Sequence, residues 1–165
     1  MKKSVLLFAL SFIVLKIAAQ QYDTTPPYLK DKLLPSLNLL NLDSAEVTEK
    51  MLKPGLHTII MMYNPECGHC QNQMELFLSM PEVVQQAQIV LASTLPIYKI
   101  KEFCNKFHLE KYPNIYPCKD NSWFLGKFFQ PRTIPVLAFY NTKKQFTFIS
   151  QGNATKEQIL DALKK

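Results

Sequence analysis

The sequence predicts an α/β fold in which a mixed parallel and antiparallel central sheet is flanked by helices. Three observations carry this. Leu56 to Tyr63, Ile89 to Thr94 and Val136 to Tyr140 are continuous apolar runs of strand length with β-branched or aromatic members. Such runs mark strands buried on both faces. Between them lie segments with the three-to-four-residue apolar spacing of helices. Near the end, an alternating stretch from Gln145 to Ile149 precedes a helix opened by Thr155 and Gln158, spaced as a capping box. The 165 residues suit a single domain with its own core. With 47% hydrophobic and 19% charged residues, the composition excludes a disordered chain.

The first nineteen residues read as a secretory signal peptide. Lys2 and Lys3 give a positive start, Val5 to Leu15 is apolar apart from Ser11, Lys16 ends the run, and Ala18-Ala19 supplies small residues for cleavage. The run is shorter than the roughly 20 apolar residues of a membrane span. No cysteine near the cleavage point would carry a lipid. The expectation is a periplasmic or secreted protein with no stable membrane insertion after cleavage. Removing Lys2, Lys3 and Lys16 lowers the formal charge from +6 to +3. So mild a charge selects neither nucleic acid nor a membrane as partner.

Residues 20–34 are polar and proline-containing and read as a linker or irregular N-terminal arm, which leaves 35–165 as the domain. Pro35 to Asp43 suggests a short strand and turn, and Ser44 to Leu52 a short helix stopped by Pro54-Gly55. The first buried strand ends at Asn64-Pro65 and a helix is expected from about Cys67 to Leu78. Ile89 to Thr94 is the second strand, followed by a helix from Pro96 to about His108. Ile115-Tyr116 reads as a short strand and Ser122 to Phe129 as a short aromatic helix. A turn at Asn141 to Lys144 joins the last two strands. The early β-α-β order implies parallel strands, and the late hairpin adds antiparallel ones.

The chemical signal is Cys67-Gly68-His69-Cys70, placed where a buried strand passes into a helix. A helix start offers unpaired N–H groups and a positive dipole end, which lower the pKa of a thiol placed there. Cysteines three apart on a helix share one face, so the pair can store two electrons as dithiol or disulfide. Cys70 begins a core stripe with Met74, Phe77 and Leu78, so it faces inward. Cys67 stays at the surface as the attacking thiolate, and Cys70 is the resolving thiol. An imidazolium at His69 would add to the stabilisation. A zinc half-site is the competing reading, but Cys104 and Cys118 are fourteen residues apart. Haem attachment requires His after the second cysteine, where Gln71 stands. No cofactor or metal is expected.

The run Ile59-Ile-Met-Met-Tyr-Asn-Pro-Glu-Cys-Gly-His-Cys70, with Thr133-Ile134-Pro135 ahead of the strand Val136 to Tyr140, resembles the thioredoxin superfamily. The segment Leu34 to Asp43 and the helical stretch before Pro135 resemble its TlpA-like, redoxin-type extracytoplasmic branch. The resemblance spans about residues 34 to 165. It implies a thioredoxin-like fold and a thiol–disulfide oxidoreductase that exchanges disulfides with protein or small-molecule thiols. It also implies that Pro135 is a cis-proline facing the cysteines, and that Thr133 and Ile134 meet an extended substrate peptide.

The sequence departs from that pattern at two places. Glu66 stands where thioredoxins commonly carry Trp, and its carboxylate opposes the thiolate unless it points into water. Met61 replaces a buried acid, with Glu75 as a weak substitute proton acceptor. The motif also resembles that of protein disulfide isomerases, although the chain ends Ala-Leu-Lys-Lys. A peroxiredoxin is the less favoured member of the same sheet class, because Asn64 occupies the place of its hydroxyl residue. A redox-inactive binding module on the same fold is the alternative from another functional class.

Several further residues are candidates for lesser roles. Cys104 lies on a stripe with Ile97, Ile100 and Phe107 and reads as a buried thiol, a bridge to Cys118 being the alternative. Cys118 follows Tyr-Pro in an expected loop. Arg132 could hold a substrate but reads more simply as solvated. His57 and His108 have no ligating spacing. Asn153-Ala154-Thr155 matches a glycosylation sequon, though Thr155 is explained as a cap. Trp123, Phe124, Leu125, Phe128 and Phe129 form an aromatic cluster read mainly as core, with a partner patch as the second reading.

Overall fold

A computed structural model describes residues 24–165. The expected signal peptide, its cleavage point and the first residues of the arm lie outside the described residues. In chain order the elements are α1 (Pro27–Asp31), β1 (Leu39–Leu40), β2 (Glu46–Val47), β3 (His57–Met62), α2 (Gly68–Ser79), α3 (Pro81–Gln86), β4 (Ala87–Ser93), α4 (Ile97–Lys106), β5 (Ile115–Lys119), α5 (Phe124–Phe129), β6 (Val136–Tyr140), β7 (Phe146–Gln151) and α6 (Lys156–Leu163). One sheet runs in the order β2-β1-β5-β4-β3-β6-β7. β4 is parallel to both β3 and β5, while the remaining pairs are antiparallel. This is the mixed sheet that the sequence predicts.

The apolar runs are continuous because their strands are covered on both faces. Every residue of β4 and of β6 is buried, as is every residue of β3 after His57. Side chains alternate across a strand. Ile59 and Met61 therefore join Cys70, Met74 and Phe77 of α2 and Ile100 and Phe103 of α4 in one core. Ile60 and Met62 join Tyr28, Leu125 and Phe129 in the other. Leu78 lies at the margin of the first core rather than inside it. The capping box at Thr155 forms: its hydroxyl accepts from the Gln158 N–H, and its own N–H donates to Oε1 of Gln158.

Three segments differ from expectation. Ser44 to Leu52 is not a helix. Oδ1 of Asn41 accepts the N–H groups of Asp43 and Ala45 and closes a turn, after which β2 pairs back on β1. Only a 3-10 turn, Glu49–Met51, remains helical, and Oε2 of Glu49 accepts the Leu37 N–H at 2.9 Å. Cys118 lies in β5, paired with Ala92, and not in a loop. Pro117 makes that strand unlikely from sequence. It is accommodated because β1 pairs with β5 only at Lys119 and leaves the Pro117 edge free. The helix Pro81–Gln86 was not foreseen; Pro81 opens it at a position where proline needs no N–H.

The arm is ordered against the domain. Tyr28 is buried, its ring 5.7 Å from that of Phe129 and 5.5 Å from that of Phe146. The Leu34 N–H donates to the Lys144 carbonyl, and the Phe146 N–H to the Lys32 carbonyl, both at 2.8 Å. Replacing a buried aromatic side chain by Ala typically costs about 3–5 kcal/mol. Tyr28→Ala should lower the unfolding free energy by about 3 kcal/mol and open residues 24–34 to protease. Denaturant titration and limited proteolysis measure the two effects.

Candidate functional site

The site is built where β3 runs out. The ladder makes one more bond beyond the strand, from the Tyr63 N–H to the Ala92 carbonyl at 3.0 Å. The chain then turns over Asn64-Pro65-Glu66-Cys67, closed by the Cys67 N–H donating to the Asn64 carbonyl at 3.0 Å. Oδ1 of Asn64 accepts the Glu66 N–H at 2.8 Å. Proline after the first turn residue fixes the bend. Cys67 is the N-cap of α2 in extended conformation, with φ −82° and ψ 119°. Its side chain thus stands over the open end of the helix.

The two thiols are unlike. Both are unbridged. Cys67 is partly exposed and Cys70 is fully buried in the core that contains Met74 and Phe77. Burial works against ionisation of Cys67. It is outweighed by hydrogen bonds from the Cys70 N–H, the Cys70 thiol and the His69 N–H, so the pKa of Cys67 falls below its ordinary value. Burial pushes the Cys70 thiol up to about 12, reinforced by the neighbouring Cys67 and only partly offset by the Asn64 N–H. His69 acts on Cys67 through its main chain, while its side chain is exposed.

Glu66 is exposed, and Oε1 of its carboxylate meets Nζ of Lys99 at 3.0 Å. Lys99 also reaches Glu102 at 3.3 Å. Its charge therefore lies beside a cation of α4 rather than acting unopposed on Cys67. Farther along α4, Nζ of Lys106 donates to Oε1 of Gln71 at 2.6 Å, and Nε2 of Gln71 donates to the Pro65 carbonyl at 2.9 Å. Glu75, the substitute proton acceptor, is exposed, whereas Cys70 is buried. Met61 is fully buried, so no acid occupies that depth.

The Ile134–Pro135 bond is cis. Pro135 is buried, Ile134 is half-buried against the first core, and Thr133 and Arg132 are exposed. The Pro135 carbonyl accepts the Gly152 N–H at 2.8 Å. Asn153, next in the chain, sends Nδ2 to the His69 carbonyl at 2.8 Å. Gln73, fully buried on α2, accepts the Ala154 N–H at 2.8 Å. These bonds tie the loop after β7 to the first turn of the cysteine helix.

Gln73, Asn153 and Lys99 were missed in the sequence. Gln73 leaves a trace there as a polar residue inside the stripe of Cys70, Met74 and Phe77, and Asn153 stands out only as part of a glycosylation sequon. Cys104 and Cys118 are both buried and free, and they belong to different cores with the sheet between them, which corrects the bridge alternative. His57 opens β3 and His108 is exposed beside Glu110.

No family model matches the sequence. The protein named "Probable protein disulfide-isomerase A6" of Medicago sativa is 31% identical over 86 residues, which is 52% of this chain and 24% of that protein. The chain thus spans about a quarter of the length of the curated relative it matches. A secreted Mycobacterium tuberculosis disulfide oxidoreductase homologous to E. coli DsbE superposes with a TM-score of 0.62 at 14% identity, over 77% of this chain and 93% of its own. StoA from Bacillus subtilis superposes with a TM-score of 0.58 at 16% identity, over 79% of this chain and 98% of its own. The fold is that of thioredoxin-like proteins.

Two outcomes follow from the thiols. In the folded dithiol protein, Cys67 should react with iodoacetamide before any other cysteine, and Cys70 only after denaturation. Mass mapping of the labelled peptides reads this, and equal folded-state rates would overturn it. Cys70, Cys104 and Cys118 have folded pKa values of about 12, 11 and 12 against an ordinary 9.0. The unfolded chain therefore loses these protons first, and stability present below pH 9 is lost as pH rises toward the folded values. Cys67, shifted the other way, opposes this as one group against three. The dithiol protein should show a falling urea midpoint from pH 9 upward.

Proposed function

We propose that this protein is an exported thiol–disulfide oxidoreductase working through Cys67 and Cys70. The observation that carries the reading is the split between the two thiols: one lowered and accessible at the start of a helix, the other buried and raised directly beneath it. The fold shared with the secreted mycobacterial oxidoreductase supports it, as does the local similarity to the protein named as a disulfide isomerase.

In the reducing direction, the Cys67 thiolate attacks one sulfur of a substrate disulfide. That bond breaks, a mixed disulfide forms, and the departing substrate thiolate takes up a proton. Cys70 then gives up its proton and attacks Cys67 sulfur, closing the protein disulfide and releasing the second substrate thiolate. Two electrons pass to the substrate, and the reverse sequence oxidises a dithiol. Pro135 presents no N–H beside the pair, which leaves the main chain of Ile134, with Thr133 next to it, to pair with an extended substrate peptide. His69 contributes its N–H to the thiolate. The partners are protein or small-molecule thiols and disulfides, and neither cofactor nor nucleic acid enters the reaction. Residues 1–19 serve as the signal peptide, and the periplasm or the extracellular space is the site of action. Among the described residues no helix is long and apolar enough to cross a membrane.

Stabilising the Cys67 thiolate stabilises the dithiol form and makes the disulfide more oxidising. Equilibration in glutathione buffers should give a potential above the roughly −270 mV of thioredoxin; a value at or below that would overturn the assigned poise. Lys99→Met, which frees the Glu66 charge next to the thiolate, should lower the potential and raise the Cys67 pKa. Cys67→Ser should abolish reduction of oxidised glutathione, whereas Cys70→Ser should still attack it and accumulate the mixed disulfide, visible by intact mass.

A further inference from the structure

A recess of about 190 Å³ opens beside the cysteine turn. Its walls include Met62, Asn64, Leu95, Trp123, Pro131 and Ile134. Two of these join it to the redox site. The Asn64 carbonyl holds the Cys67 N–H, and Ile134 immediately precedes the cis-proline.

Trp123 is 55% exposed, although it belongs to an aromatic cluster that is otherwise largely covered. Its exposure is held in place by local structure. The residue sits in the left-handed region, with φ 54° and ψ 36°, which L residues other than Asn and Asp seldom adopt. Its indole lies over Gly126, where a Cβ would collide with the ring. Asp120 fixes the start of α5, its two oxygens accepting the Phe124 and Leu125 N–H groups at 2.8 and 2.9 Å. Those bonds engage both oxygens of the one carboxylate lining the recess, and Met62, Ala92, Leu95, Trp123, Pro131 and Ile134 make most of its wall apolar, with Asn64 and Thr94 as polar members.

Size and continuity identify the occupant. An apolar cavity of about 150 Å³ holds a benzene molecule, whereas sites for drug-sized ligands run to about 300–1,000 Å³. One aromatic or branched aliphatic side chain matches the recess in size. We propose that the Trp123 recess is a specificity subsite that takes one apolar side chain of the polypeptide whose sulfur is presented to Cys67. This rests on the oxidoreductase reading of the cysteine pair and adds to it a preference among polypeptide substrates.

The test compares two disulfide-bonded peptides that differ only in a residue two positions from the cysteine, Phe in one and Asp in the other. Steady-state reduction is followed with the wild type and with Trp123→Ala. The wild type should favour the Phe peptide in kcat/KM by about tenfold or more, the size of effect that burying one apolar side chain gives. In Trp123→Ala that ratio should fall toward one. A wild type without preference, or a ratio that survives the substitution, would overturn the subsite. The sequence has a single tryptophan, so its emission gives a second reading that needs no turnover. Peptides with Ser in place of Cys should shift the spectrum when they carry Phe and about tenfold less effectively when they carry Asp. An equal response, or none at millimolar peptide, would overturn the subsite even if disulfide exchange fails. Failure of the wild type to reduce oxidised glutathione would instead remove the oxidoreductase reading.

Discussion

The geometry of the site depends on the double-sided burial of β3. That strand has β4 on one side, β6 on the other, and a hydrophobic core above and below. It cannot shift by one residue without exchanging Ile59 and Met61 for Ile60 and Met62 across the sheet, which would misplace both cores. Its end is therefore fixed in space, and Asn64-Pro65 converts that fixed end into a turn. Cys67 inherits its position from packing on which it makes almost no demand itself. Cys70, three residues on, is carried down into the core by the same helix.

The positions around the motif divide the electrostatic work. Main-chain N–H groups at the start of α2 supply the part that does not move and that salt screens little. The part that can vary lies on α4, where Lys99 faces Glu66 and Lys106 holds Gln71. These are exposed contacts, and such pairs are individually weak. Their consequence is local. A carboxylate one residue from a thiolate is unfavourable unless a cation accompanies it, and α4 provides that cation from a distant part of the sequence.

The strands that carry the site were legible because burial on both faces writes itself as an unbroken apolar run. The cysteine helix was legible because its inner stripe begins at Cys70, and α6 because its capping box is local. The misreadings share a different origin. In Ser44 to Leu52 the deciding contacts are the side chain of Asn41 and the pairing of Val47 with Leu39, neither visible as periodicity. At Cys118, Pro117 argued against a strand that only the partial coverage by β1 allows. Lys99 and Asn153 reach the site over 33 and 84 residues of chain. A spacing rule finds neither.

The docking of the arm has an effect beyond the stability of Tyr28. A sheet of this kind ends in strands whose outer N–H and carbonyl groups invite pairing with another chain. On one side β2 is only two residues long, too short to be a useful template. On the other, β7 spans six residues, and Lys32 to Leu34 of the arm run alongside its beginning, with a bridge from Leu33 to Gln145. The arm thus covers the part of that edge nearest the hairpin turn. A chain shortened to residue 35 would keep its cysteines, but it would lose Tyr28 from the second core and uncover the start of β7.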